Sequence, residues 1–565
     1  MTDTNPQRPE NAPWPARHPR FVFFLPFLVY TLLVIPAVWM RRDQINPDGI
    51  CYIRLSTYLL RHDWSHAISG YWSPLLPWCM APLIATGIDS LYAAHIMLAV
   101  IGAAYLLAAS LWIRQFESLR PATRFWMMII VSLVTVRLVV KIISPDLLMA
   151  AILLLYLAQM HRRDLLRRTR VPFIAGLLGG LAYLAKAYAF PFFLVHFPLT
   201  LLLRGWTLRH DPDLNHRVRA GRLCSATAAG ILGLLLVASP WIALLSHSYG
   251  RLTISTAGPF NHNEARSAPD ELKYRYTFFV PPDPYLTESE MIDRRVHRFW
   301  SPFDSRERLL QQWKIFKENT PEILATLGSF DHIWLVPICL AVSTLMAVSL
   351  LLARRGCNSQ IKSELPWLAM TLWVYCSGFT MVYFEPRLIA VVLRFPAMLL
   401  CVLLAVKITP PRAIPRRSAF QRLRRTFTAF VLVVFTISAV IELTGSYTSA
   451  KRDGASRAVA DAMRSAGLHG PIASSSRGFG GYVAYFLDAK LITIPPNESA
   501  SEYERNCREG KVSCIVILNE RVKGRVVYPD PPPAPMTMVQ GPTWTCRVKV
   551  DNAREQIVVY ESNAE

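Results

Sequence analysis

Residues 21–48 read FVFFLPFLVYTLLVIPAVWMRRDQINPD. No charge interrupts the stretch from Phe21 to Met40, and about 20 mostly apolar residues are what a helix needs to cross a bilayer. The run is too long for the apolar core of a cleaved signal, and no small-x-small site comes after it. It is read as a first membrane span. Arg41 and Arg42 close it, and Asn46-Pro-Asp48 opens the next segment.

Similar runs recur along the chain: Leu91–Ile113, Phe125–Val140, Leu147–Met160, Val171–Ala185, Ala189–Leu203, Leu223–Leu245, Ile333–Ala353, Pro366–Tyr383, Leu388–Val406 and Phe427–Leu443. With the first, they make about 11 transmembrane helices. Composition agrees. Of 565 residues, 52% are hydrophobic and 18% charged, against roughly 25% charged in soluble domains. A disordered chain is excluded and an ordinary soluble enzyme disfavoured. The net charge is +22. Nucleic acid is not the expected partner, because the cations come in bursts between apolar runs and not along one stripe. The ten cysteines include no CxxC pair, so zinc-ribbon and thioredoxin motifs are absent.

The bursts set a topology. Arg114/Arg120/Arg124, Arg162–Arg170, Arg204–Arg222, Arg354/Arg355/Lys362 and Lys407–Arg425 alternate with connectors that are longer or poor in cations. Short basic loops stay in the cytoplasm. The expected layout is a cytoplasmic tail 1–20, a transmembrane unit 21–444 with outer loops 41–90 and 247–331, and an extracytoplasmic domain 445–565. The localisation expected is a multi-pass protein of the cell's inner membrane, N-terminus cytoplasmic and C-terminus outside.

The last segment mixes helix-like and strand-like pieces. Asp453 is read as capping an Ala-rich helix that ends at Gly467. Strands are expected at Ile472–Ser475, Leu491–Ile494, Cys514–Leu518, Arg547–Val550 and Ile557–Tyr560, with Pro529–Pro535 as an extended tether. These pieces predict a small α/β domain. Gly478, Gly480 and Gly481 match neither phosphate-loop spacing and read as a plain turn. Cys507 and Cys514 are close enough in sequence to suggest a disulfide outside the membrane, with Cys546 a competing partner. The aromatic and Pro-rich loop 247–331 (Tyr274, Tyr276, Phe278, Phe279, Tyr285, Trp300, Trp313) is read as a lid.

Ionisable residues at membrane depth or at span ends are costly, which makes them the default site residues. They gather at the outer ends. Asp48 lies in Asn46-Pro-Asp-Gly-Ile-Cys-Tyr52, Asp146 in Ser144-Pro-Asp146, Lys186 in Leu184-Ala-Lys-Ala-Tyr188, and Glu385 and Arg387 in Tyr383-Phe-Glu-Pro-Arg387. Arg137 and Lys141, four apart, share a helix face near the same end. Each has a plainer reading: Asp caps helices, and Lys and Arg snorkel. Together, a carboxylate that can act as a base opposite cations that can hold a phosphate is what transfer from a lipid phosphate requires.

The ordered set resembles a family. A first span precedes an Asp-bearing outer loop, then Trp72-Ser-Pro-Leu-Leu-Pro-Trp78, Ser-Pro-Asp, a Gly-rich span ending in Ala-Lys-Ala, and Glu-Pro-Arg before a late span. This is similar to the GT-C superfamily of membrane glycosyltransferases, in particular the protein O-mannosyltransferases and the aminoarabinose transferase. Tyr249–Asn261 is similar to a segment of bacterial proteins of this kind. The resemblance implies a polytopic α-helical membrane fold and an inverting transfer of a sugar from a polyprenyl-phosphate donor to a lipid, glycan or protein acceptor. It implies Asp48 as catalytic base with Asp146 in the same cavity, and Lys186 and Arg387, with Arg137 and Lys141, as cations for the lipid phosphate. Tyr52, Trp72 and Glu385 would line the acceptor cavity. Relatives often carry two adjacent acids in the first loop, whereas Gly49 comes after Asp48 here. That weakens an acidic metal pair and leaves a divalent metal open; no other cofactor is implied. The alternative is a transporter or flippase of a lipid-linked substrate, for which inverted repeats and midplane charges would be expected. A structural membrane component is a third reading.

Overall fold

The computed structural model describes residues 19–207, 216–265, 277–294, 301–352, 360–407, 417–448, 454–495, 498–522, 525–527, 534–551 and 555–563. Most of the tail 1–20, with Arg209, Tyr274, Tyr276, Trp300, Arg354, Arg355, Asp453 and most of the Pro529–Pro535 tether, lies outside them.

Nine of the eleven apolar runs lie wholly in a helix, and the described residues of the other two lie mostly in Leu335–Leu352 and Gln360–Thr380. Among the described residues seven helices are long and apolar enough to cross a membrane: Phe23–Met40, Ser90–Ile113, Pro121–Lys141, Ala189–Thr207, His216–Tyr249, Pro386–Lys407 and Gln421–Thr448. Asp146–His161, Arg170–Ala185 and Leu335–Val348 are apolar but shorter. Gln360–Thr380 completes the set. The molecule is a polytopic α-helical membrane protein with a small C-terminal sheet.

Two packing features place the site. Pro386–Lys407 is the bundle's most enclosed span, which anchors Arg387 at its first turn. The short helix Arg170–Ala185 packs on His216–Tyr249 through glycines from both. A methyl on Gly176 would sit 2.0 Å from the Gly230 carbonyl oxygen, and one on Gly233 would sit 2.3 Å from that of Phe173. Small residues let helix backbones meet this closely in lipid. The contact carries Lys186, just past the end of the first helix, to its depth.

The segment after Tyr249, expected as an outer loop, is less loop-like than its Pro/Asp-rich turns suggest. Arg306–Ser329 is a 24-residue helix capped by Ser305. Its apolar residues are too interrupted for a span, and Leu309, Leu310 and Trp313 lie exposed on it. The part at 277–294 is clamped on both sides. Glu290 accepts from Arg54 Nε at 3.1 Å and from Tyr58 at 2.8 Å, while Phe279 and Thr493 exchange backbone bonds of 2.9 Å.

In the C-terminal unit the strand order is β1 (Ile472–Ser474), β2 (Cys514–Val522), β5 (Glu555–Ser562), β4 (Trp544–Asp551), with β3 (Arg525–Val527) pairing β2. β1 and β2 run parallel; the other pairs are antiparallel. Leu491–Ile494 is no strand; its residues make only isolated bridges. The Gly478–Gly481 turn is also corrected, since Arg477–Leu487 is a helix that comes after β1. It presses Tyr482, Tyr485 and Phe486 onto the transmembrane core. Cys507 and Cys514 are both free. Successive strand residues face opposite ways, and Cys514 packs under one face of the sheet while Cys507 packs under the other.

Candidate functional site

Four helix ends meet at one cavity of about 770 Å³. Asp48, Tyr52, Trp72, Lys186, Glu385 and Arg387 all line it, so most of the residues singled out in the sequence come together.

Each is placed by local chemistry. Pro47 begins the helix Pro47–Leu60 with its fixed φ and absent N–H, so Asp48 stands in the first turn and Tyr52 one turn further on the same face. Asn46 ties this start to the neighbouring turn. Its side chain accepts from the Ile143 amide at 2.8 Å and donates to the Ile143 carbonyl at 3.2 Å. Gly49 then lies on Ile143, where an added Cβ would be 3.0 Å from the Ile143 Cβ. A side chain at this position would press on both Ile143 and Asn46.

Asp146 is a correction: it lines no part of the cavity but lies buried behind it, 1% exposed at the head of its helix, where it accepts from Ser144 Oγ at 2.9 Å and pairs with Lys186. Arg387 bridges two acids: its Nη1 lies 2.6 Å from Asp48 and its Nε 2.5 Å from Glu385. Tyr383 donates to the other oxygen of Glu385 at 2.6 Å. Tyr52 meets Trp72 edge-on at 5.2 Å, and Trp72 Nε1 donates to the Ser289 carbonyl at 2.9 Å. Burial pushes the Asp48 carboxyl above its ordinary range, while the Arg387 and Lys186 charges pull it back. Burial also raises the Tyr52 phenol well above its usual value.

Arg137 and Lys141 are a correction. They line no part of this cavity. Their helix turns them toward the first and last spans, where Arg137 reaches Ser446 Oγ at 3.5 Å and Lys141 is exposed. A shared face near the right depth was the only signal, and it does not specify the direction that face points. His66 pairs locally with Asp63 at 2.6 Å. Among the described residues no group of three or more His, Cys, Asp or Glu side chains is placed to hold a metal ion.

The cavity also has walls that the sequence reading missed. Tyr71 donates to Asn261 at 3.0 Å, and both line it, as does Glu264. Arg477 enters from the C-terminal unit and pairs with Glu288, whose side chain is 2% exposed. Its only sequence signal was the Gly-rich stretch read as a turn. On the bilayer side Val195, 48% exposed on the outer surface of the bundle, lines the cavity together with Phe192 and Val374. The apolar wall therefore reaches the surface that faces lipid.

No protein-family model matches the chain, and no curated protein does. Solved structures align with it. ArnT from Cupriavidus metallidurans, bound to undecaprenyl phosphate, aligns over 95% of this chain and 97% of its own, at 12% identity and a TM-score of 0.47. The apo oligosaccharyltransferase of Archaeoglobus fulgidus aligns over 88% of this chain and 69% of its own, at 12% identity and 0.48. These aligned structures are GT-C membrane glycosyltransferases. The arabinofuranosyltransferase AftD from Mycobacteria is a more distant case, with a TM-score of 0.37 at 13% identity, and this chain spans 40% of its length. At such scores the likeness is one of chain trace, and the chemistry rests on the cavity's own residues.

Proposed function

We propose that this protein is an inverting glycosyltransferase that moves a sugar from a polyprenyl-phosphate donor to a lipid, glycan or protein acceptor at the outer face of the membrane. The observation that carries the reading is the convergence of Asp48, Lys186 and Arg387, from three separate helix ends, on one cavity whose apolar wall reaches the lipid-facing surface.

A polyprenyl chain stays in lipid while its phosphate enters beside Val195. Arg387 offers a planar fork and Lys186 a point charge, and both suit a phosphate. The incoming phosphate competes with Asp48 for Arg387 and so releases the carboxylate at the moment a base is needed. The acceptor hydroxyl oxygen then attacks the anomeric carbon. The bond from that carbon to the phosphate oxygen breaks, polyprenyl phosphate leaves with the electron pair, and Asp48 takes the hydroxyl proton. Raised by burial, the Asp48 carboxylate holds a proton better than an exposed aspartate does. Asp146 holds Lys186 in place from behind.

Mass spectrometry of envelope glycans and glycolipids from a deletion strain tests this. Loss of one sugar identifies the product, whereas unchanged fractions throughout count against the enzyme.

A further inference from the structure

A second cavity, of about 180 Å³, lies at the opposite end of the bundle. The start of Pro121–Lys141, the end of Pro386–Lys407 and the stretch Arg424–Leu432 of the helix Arg417–Thr448 wall it. The first two of these helices carry Lys141 and Arg387 at their other ends, at the end of the bundle where the candidate active site lies. The two cavities therefore open at opposite membrane faces.

Arg120, Arg424 and Arg425 converge on it, with no carboxylate in its lining. Among the described residues none of the three has a carboxylate partner, and Arg424 makes only a long 3.4 Å bond to the Val406 carbonyl. Three guanidinium groups sharing a small recess without counter-charge repel one another. Two further features favour an anion there. The helix beginning at Pro121 has no side-chain cap, so its first amides and its positive dipole end are unopposed. Ser118, which also lines the recess, has a buried Oγ with no hydrogen-bond partner. Trp126, 53% exposed, and Leu432 then continue the wall toward the bilayer.

We propose that this cavity holds the phosphodiester headgroup of an anionic membrane phospholipid in the leaflet opposite the active site. The arginines and the helix start take the phosphate, and the Trp126 and Leu432 side takes the beginning of the acyl chains. Arginines at span ends also snorkel to any headgroup without selection. What distinguishes a site is that three of them close on one recess.

The test is native mass spectrometry of the full chain, released from nanodiscs of equal phosphatidylglycerol and phosphatidylcholine. Wild type should retain one phosphatidylglycerol in preference to phosphatidylcholine. The triple variant Arg120→Gln, Arg424→Gln, Arg425→Gln should lose about tenfold or more of that retention. Arg422→Gln, on the same helix but outside the lining, should retain it in full. Equal retention of the two lipids by wild type overturns the proposal. So does a loss with Arg422→Gln as large as with the triple variant, which is generic surface charge. Inorganic phosphate binding to wild type without any lipid preference would make this a site for a soluble anion and also overturns it. An unchanged tryptophan-monitored unfolding midpoint in lipid-free detergent verifies that the triple variant is folded. Should it unfold, the charge-retaining Arg120→Lys, Arg424→Lys, Arg425→Lys protein is compared with single Gln variants in the same assay, and singles that bind as wild type does sink the proposal.

Discussion

Two charged clusters sit near the same end of the bundle, and only one of them borders the candidate site's cavity. In the first, Asp48, Lys186, Glu385 and Arg387 meet around about 770 Å³ of space, with Asp146 behind Lys186. In the second, Arg41 donates to the carbonyls of Ser446 and Val140 at 3.0 and 3.1 Å and to Gln44 at 2.8 Å. There Arg394 forks onto Glu442, and Arg137 reaches Ser446. Both use the same side chains at span ends. The second turns its hydrogen bonds onto backbone carbonyls and neighbouring side chains, fastening the first span to the last. The first leaves its ion pairs facing a space that a ligand can enter. Charge at membrane depth marks importance, but only the presence of a void separates a binding site from a structural clasp.

Substitutions can break this contrast. The largest effect is expected from Asp48→Asn, which removes the proposed base and should lower transfer by about 10²–10⁴-fold with expression intact. Retention of most activity by the purified variant would remove Asp48 from that role. The same residue sets the acid limb of the rate profile. Because burial raises its folded pKa, the carboxylate is lost at a higher pH than the ordinary value of about 3.9 would give. Transfer should therefore fall with acidification before that value is reached, and a profile flat down to it would contradict the raised pKa.

Next come Lys186→Ala and Arg387→Ala. Losing one charged hydrogen bond to a phosphate costs about 1.5–3 kcal/mol, so the donor KM should rise roughly 10- to 100-fold. Wild-type donor KM in both would mean that these cations serve only Asp146 and Asp48.

Arg477→Ala should have a smaller effect, about fivefold on transfer, and Arg477→Lys should recover only part of it. No change in rate with an unaltered fold would make the C-terminal unit a bystander to the cavity.

The smallest effect on transfer is expected from the other cluster. Arg137→Gln should stay within about twofold of wild type, since it makes one weak bond far from reacting atoms. Glu442→Gln should instead lower the thermal midpoint, because a buried Arg394 without its partner costs on the order of a few kcal/mol. A strong loss of transfer in either, without loss of stability, would erase the distinction between clasp and site.

Much of the site is legible in the sequence. Asp48, Lys186 and Arg387 each announce themselves as a charge beside a helix-ending or helix-starting signal. Arg137 and Lys141 carry the same signal yet lie elsewhere, since the 3.6-residue period defines a face but not its neighbour. Arg477 is illegible for the opposite reason. It sits far along the chain in a Ser/Gly stretch whose local pattern points to a turn, and it reaches the cavity only because its helix docks on the transmembrane core.

What the sequence determined alone are properties set by short-range physics. Spans arise from the length of apolar runs, and span ends from charges that lipid rejects. The central β-strands of the C-terminal unit arise from short continuous apolar runs such as Cys514–Leu518 and Ile557–Tyr560. What the tertiary structure alone decided is which ends converge. That depends on contacts between residues hundreds of positions apart, such as Asp48 with Arg387, and on close approaches such as Gly176 against Gly230 and Gly49 against Ile143. Such contacts are fixed by volumes and hydrogen bonds between helices, which no local pattern encodes.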